Sequence, residues 1–276
     1  MINKAKKLST KFRQMVNRFF PRRSIKEAIK QKHCYLCNAT VYQHKPICKG
    51  CFHDLPFNHT SCTRCAIPLP EWIERKNDKC HSEKICGECL TVSPSYTECF
   101  SAFCYTFPVN ALISDFKYNN KRHLGKLLST ITAETINTKI KNRQLRKPDK
   151  LIPVPLHVDK LDARGFNQSG DICIDLSRAL NIPIDNHCIA RVVNNPAQAS
   201  LTKKQRQQNL ANAFDIRKRL DGEVVALIDD VVTTGVTAEQ LSKQLLNAGA
   251  KEVVKCSACS AICIFFKTTE DTEITV

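Results

Sequence analysis

Val224-Val225-Ala226-Leu227-Ile228-Asp229-Asp230-Val231-Val232-Thr233-Thr234-Gly235-Val236-Thr237 is the stretch on which the fold turns. Its opening apolar run has the length and composition of a buried strand. Two carboxylates, Asp229 and Asp230, follow at the carboxyl end, where ligands sit in open α/β sheets. A Thr/Gly turn then leads into an expected helix over 237–248. Thr237 with Gln240 reads as a capping box, Leu241, Leu245 and Ala248 form its buried stripe, and Gly249 suits its C-terminal cap. Exposed N–H groups in the turn and at the helix N-terminus suit a phosphate dianion. Thr233, Thr234 and Thr237 add hydroxyl donors, and Gly235 permits close backbone approach. The two carboxylates would repel a phosphate but accept hydrogen bonds from vicinal hydroxyls. A phosphorylated ribose presents both features on one molecule. The bland alternative is an acidic strand end followed by an ordinary turn. It leaves the coincidence of two acids and Thr-Thr-Gly-Val-Thr unexplained.

Outward from this segment, further strands are expected at Leu151 to Val154 and opening at Glu252 to Val254, with helices around 109–139 and 167–180. Strands alternating with helices indicate an α/β domain built on a mostly parallel sheet.

Upstream the composition changes. Four Cys-x-x-Cys pairs occur in order: Cys34/Cys37, Cys48/Cys51, Cys62/Cys65 and Cys86/Cys89. Two residues between ligands let one tight turn present both sulfurs to a single ion, and two such knuckles complete a tetrahedral four-thiolate site. Eight ligands make two closed structural zinc sites, paired either in order or cross-braced, with Cys80 and His81 within reach as substitutes. A redox reading of the pairs would need a flanking βαβ pattern, which this region lacks. Cys256, Cys259 and Cys263 lie in an apolar stretch and read instead as core thiols.

These signals divide the chain into a basic leader at 1–32, a double zinc-ribbon module at 33–99, an α/β domain at 100–266 and a tail at 267–276. The leader reads as a solvated tail, with contact to nucleic acid or lipid headgroups as the sharper alternative. A net charge of +16 favours polyanionic partners, phosphorylated metabolites and nucleic acid among them. No apolar run reaches the ~20 residues that span a bilayer. No secretory signal is recognisable, so a cytoplasmic location is expected, where paired cysteines bind metal rather than form disulfides.

The stretch 224–237 resembles the phosphoribosyl pyrophosphate (PRPP) motif of type I phosphoribosyltransferases. Three further stretches resemble the ComF family specifically. They are Pro153-Val154-Pro155-Leu156-His157, then Arg164-Gly165-Phe166-Asn167-Gln168-Ser169, then Gln198 and Leu201 followed by Arg206, Asn209 and Ala213-Phe214. Phe116-Lys117-Tyr118 also fits. The resemblance spans about residues 33–260 and includes the cysteine module. It implies a type I phosphoribosyltransferase-like parallel sheet flanked by helices behind a double zinc ribbon. It implies that Asp229 and Asp230 bind the ribose hydroxyls, and that Thr233, Thr234, Gly235, Val236 and Thr237 hold the 5′-phosphate. Magnesium would ride on the pyrophosphate and ribose oxygens. Arg164 and Arg206 would either pair with pyrophosphate or anchor their loops. Lys203 and Lys204 fall where the wider fold has a mobile catalytic loop. His157 fits a loop-capping role better than that of a general base.

Two functions follow from that resemblance. One is transfer of phosphoribose from PRPP to an unnamed acceptor with release of pyrophosphate. The other is a non-catalytic ribose-phosphate or nucleotide-binding protein acting in competence or DNA uptake, through single-stranded DNA or the uptake machinery.

Overall fold

The computed structural model describes residues 32–41, 45–70, 84–193, 213–232 and 235–260. The chain divides into two compact units, 1–54 and 55–276. In the first, β1 (Lys32–His33) pairs antiparallel with β2 (Thr40–Val41), and α1 (Lys49–His53) follows. The second opens with α2 (Gly87–Thr91), β3 (Glu98–Cys104), α3 (Val109–Tyr118) and α4 (Arg122–Lys141). It continues through β4 (Lys150–Pro153), α5 (Val158–Arg164) and α6 (Gln168–Leu180). A short antiparallel pair, β5 (Ile189–Arg191) and β6 (Phe214–Ile216), precedes β7 (Val224–Val232), α7 (Val236–Asn247) and β8 (Glu252–Ser260).

The main sheet has four parallel strands in the order β3-β8-β7-β4. Parallel sheets are covered on both faces, so their inner strands are apolar throughout. β7 obeys this: Val224 to Ile228 are all buried. Successive residues face opposite sides. Val225 and Leu227 pack in one cluster with Ala238, Leu241 and Leu245 of α7. Ala226 and Ile228 line a small apolar cavity on the other side with Ile136 of α4 and Leu176 of α6. Each of the expected strands is present, and β7 runs on through both acids. Cys256 is a buried core thiol, as its surroundings implied.

The helix expected over 109–139 is two helices. Asn119 closes α3, and Asn120 takes a left-handed φ of 52°. Asparagine tolerates that conformation better than most residues. Asp115 fixes the break by accepting from the Asn119 side chain at 2.6 Å and from Lys121 Nζ at 2.8 Å. At the far end of α7, Gly249 follows the helix with φ +104°, where a Cβ would stand 2.1 Å from the Leu220 carbonyl oxygen. β3, α5 and the β5–β6 pair are not among the elements expected from sequence. Among the described residues, no helix is long and apolar enough to cross a membrane.

Candidate functional site

The paired acids stand in the last four residues of β7, in a setting that gives each a different partner. Asp230 Oδ2 pairs with Lys117 Nζ from α3 at 2.9 Å. Asp229 Oδ1 accepts from the Ser169 hydroxyl at 3.2 Å and from the Asp230 backbone N–H at 2.9 Å. Burial first, and then the charge of Asp230, push the Asp229 carboxyl up to about 6. Lys255 of β8, the Asp230 N–H and Lys117 act against that rise. Lys255 is itself fully buried, with its ammonium 5.7 Å from the Tyr96 ring centroid.

Beyond the acids, α7 begins at Val236, with Gly235 as its N-cap at φ +72°. The helix therefore starts two residues earlier than a Thr237 cap requires. Thr237 lies inside the first turn, and the expected capping box with Gln240 does not form at the helix start. The physical reason is the left-handed backbone that glycine adopts at no steric cost. Gly235 brings no side chain to satisfy the first-turn N–H groups, which leaves them for an anion. Thr233 and Thr234 lie outside the described residues, as do Arg206, Lys203 and Lys204.

The loop after β4 is tied to the same strand end. Val154 N–H donates to the Ile228 carbonyl at 2.9 Å. Asn167 caps α6, accepting from the Ser169 N–H at 3.1 Å and donating to the Val154 carbonyl at 3.1 Å. His157 caps α5 by accepting from the Asp159 N–H at 3.3 Å, the loop role its position implied. Arg164 ends α5 at a left-handed Gly165. Its guanidinium donates to Gln168 Oε1 at 3.1 Å and lies 5.1 Å from the Tyr118 ring centroid.

Two cations that the sequence reading missed join this end of the sheet. Burial, then Arg191, then Arg164 hold Lys160 below its ordinary range. Burial likewise lowers Arg191, against the pull of Asp229. Lys160, Arg164 and Arg191 thus share one neighbourhood, a concentration of positive charge suited to a polyanion. Only Lys160 carried a usable sequence signal, since it follows the Pro153–His157 loop by three residues.

The cysteines assemble in order. Cys34, Cys37, Cys48 and Cys51 form one group and Cys62, Cys65, Cys86 and Cys89 another, with the sulfurs of each group within 4.8 Å of one another. The two are built alike. A knuckle ends in a left-handed residue, Asn38 in one and Ala66 in the other, and a short helix begins at the third cysteine. Cys37 and Cys48 sulfurs lie 3.6 Å apart, as do those of Cys65 and Cys86. Sulfurs about 2.3 Å from a tetrahedral zinc stand roughly 3.8 Å apart, so both groups fit that ion. Burial and then the neighbouring sulfurs raise Cys51; the Cys62 sulfur and then burial raise Cys65. Four thiolates this close need a compensating cation. With all four positions filled by sulfur, zinc here is structural. Cys80 and His81 lie outside the described residues.

Comparison with known proteins agrees with this construction. Residues 17–90 match the double zinc ribbon domain family. The chain is 30% identical over 230 residues to DNA utilization protein YhgH of Escherichia coli O157:H7, covering 83% of this chain and 97% of that one. It is 31% identical over 224 residues to competence protein F of Haemophilus influenzae, covering 80% and 93%. The chain belongs to the competence protein F (ComF) family. Among solved structures, a Trypanosoma cruzi hypoxanthine phosphoribosyltransferase aligns at 17% identity with a TM-score of 0.33, covering 49% of this chain and 73% of that one. The purine phosphoribosyltransferase of Pyrococcus horikoshii aligns at 20% identity with a TM-score of 0.29, covering 47% and 70%.

A raised acid costs stability once ionised. In the unfolded chain Asp229 titrates near 3.8, in the folded chain near 6. The penalty is absent below the first value and complete above the second. Ligand-free Asp229→Asn is therefore expected to be more stable than wild type at pH 7.5, on the order of 1–3 kcal/mol, with the gap closing toward pH 4. Thermal melts across that range check it. A gap that widened on acidification would mean the carboxyl is stabilised by its surroundings.

Proposed function

We propose that the carboxyl end of β7 and the N-terminus of α7 form a PRPP site, and that the protein transfers phosphoribose to an acceptor with release of pyrophosphate. In this reading Asp229 and Asp230 accept from the ribose hydroxyls. Thr233, Thr234, Gly235, Val236 and Thr237 hold the 5′-phosphate. Arg164 and Arg206, with Lys160 and Arg191, face the pyrophosphate. The observation that carries the reading is the pairing of two acids, one neutralised by Lys117 and one held by Ser169, with a helix start at Gly235 that brings no capping side chain. One end is built to accept hydrogen bonds and the other to donate them, as a ribose phosphate requires.

In such a transfer the bond from the sugar C1 to pyrophosphate breaks as the acceptor's bond forms. The protein's contribution is to position the partners and to stabilise charge on the departing pyrophosphate. The cations around Lys160 suit that task. Magnesium, which prefers oxygen ligands and retains water, would ride on the pyrophosphate and ribose oxygens, with Asp229 and Asp230 as the acidic groups of the site.

A second reading keeps the site and drops the turnover. The net charge of +16 and the relatives' names, which speak of DNA utilisation and competence, favour a ribose-phosphate-binding protein that also contacts single-stranded DNA or uptake partners. Calorimetric titration with PRPP and magnesium, followed by an acceptor screen for pyrophosphate release, separates the two. Salt-sensitive binding to single strands with no turnover would favour the second.

Two substitutions in the turn grade the phosphate contact. Thr234→Ala is expected to weaken ribose 5-phosphate binding by only a few-fold, because backbone donors remain. Gly235→Val is expected to be harsher, at least ~tenfold, since a β-branched residue is strained at φ +72°. Equal affinities for the two variants would remove Gly235 from the site.

A further inference from the structure

The second zinc site and the start of α7 are joined by a short chain of contacts. α2 carries Cys89 and begins at Cys86, and the segment after it ends in Ser95 and Tyr96. Glu239, in the first turn of α7, accepts from the Ser95 backbone N–H at 2.8 Å and from its hydroxyl at 2.7 Å. Despite burial, these bonds from Ser95 hold Glu239 below the usual carboxylate range. Tyr96, 5% exposed, has its hydroxyl 3.5 Å from where a Cβ on Gly235, the N-cap of the same helix, would stand. The other knuckle of this zinc site is built into the core as well. Ala66, which follows Cys65, is fully buried in one apolar cluster with Tyr96, Cys99, Ala238 and Leu241. The Thr63 carbonyl accepts from the Cys99 N–H at 2.9 Å, at the start of β3.

We propose that Ser95, Tyr96 and Glu239 are positioning residues that couple the Cys62/Cys65/Cys86/Cys89 zinc site to the anion-binding end of α7. The proposal rests on the ribose-phosphate reading of that helix end. Metal at the quartet holds α2 and the Ser95–Tyr96 segment in one place. That segment in turn grips the helix turn at which the phosphate would dock. When the zinc leaves, Ser95 and Tyr96 lose their anchor, and the first turn of α7 loses its lateral support. Coupling of this kind is reciprocal, so a ligand that orders the α7 start must tighten metal at the quartet by the same factor.

Reciprocity supplies a readout other than activity. The holoprotein is exposed to a zinc chelator and iodoacetamide, with and without saturating ribose 5-phosphate, and alkylation of each cysteine is followed by peptide mass spectrometry. Ribose 5-phosphate is expected to slow alkylation of Cys86 and Cys89 by at least about fivefold. Cys173 and Cys188, both fully buried in the same unit, report global opening and should slow by a smaller factor. In Glu239→Ala, whose zinc content should match wild type, the protection of Cys86 and Cys89 is expected to fall to that of Cys173 and Cys188. Tyr96→Phe, which keeps the ring, should lose only part of it. Binding measured by calorimetry without selective protection overturns the coupling and leaves the ribose-phosphate site standing. Protection of equal size at all four cysteines, or unchanged selective protection in Glu239→Ala, also overturns it. Absence of ribose 5-phosphate binding by wild type overturns both readings together.

Discussion

Cys62→Ser is expected to cost more than about 4 kcal/mol and to lower the melting temperature by about 10 °C or more. Cys62 is fully buried, and its sulfur accepts from the Cys86 N–H at 3.3 Å. Its own N–H donates to the Ile67 carbonyl, and its carbonyl accepts from Ala66. A serine oxygen at this place is a poorer zinc ligand and leaves three crowded thiols without a complete tetrahedron. In small zinc-binding peptides the metal supplies about 10–16 kcal/mol of apparent folding free energy, so losing one ligand forfeits a large share. The damage should reach the sheet, because Thr63 holds the start of β3 and Ala66 packs beneath α7. Metal analysis of protein purified without added zinc should give two zinc ions per chain for wild type and one for the variant. Two ions in the variant with an unchanged melt would show that Cys62 is not a ligand. Near zero in reduced wild type would remove zinc from both quartets.

The cysteine pairs and β7 were legible in the sequence because their signals are local, whereas the in-order grouping of the pairs came from the structure. Ligands spaced by two residues need one turn, and a strand buried on both faces needs one apolar run. Local pattern failed where two geometries share one pattern. The apolar stripe through Leu112, Phe116, Leu124 and Leu128 continues across the break between α3 and α4, since both helices bury the same kind of face. Only Asn119-Asn120 marks the turn. Thr237 and Gln240 match a capping box, yet the left-handed Gly235 already occupies the cap. The charges around the acids were the least legible. Arg191 sits on a short antiparallel strand far along the chain from Lys160, and only the folded chain brings it within electrostatic reach of both Lys160 and Asp229. Lys117 was visible as part of a motif, but its ion pair with Asp230 is a product of how α3 meets the sheet. Ser95 and Glu239 had no sequence mark at all.

Changing Asp229 and Asp230 together to Asn is expected to weaken PRPP binding by at least ~tenfold, with ~hundredfold as the central expectation. The change keeps the shape of both side chains and removes two charged acceptors. Hydrogen bonds to charged groups contribute about 1.5–3 kcal/mol each, which sets the scale. Stability should move differently from binding. Asn at 229 relieves a carboxyl that burial has raised to about 6, while Asn at 230 removes the negative charge from the 2.9 Å ion pair with Lys117. The two effects oppose each other, so the melting temperature of the ligand-free protein should change far less than the affinity. A large fall in both would mean the acids serve the fold and not a ligand. The decisive measurement is calorimetry with magnesium present on wild type and variant at pH 7.5, above the Asp229 titration. Wild-type protein that is folded yet binds neither PRPP, ribose 5-phosphate nor a nucleoside monophosphate would falsify the site. Tight binding with no pyrophosphate released to any acceptor would keep the site and turn the protein from an enzyme into a ribose-phosphate-binding module, in which the same two acids read the sugar without committing it to reaction.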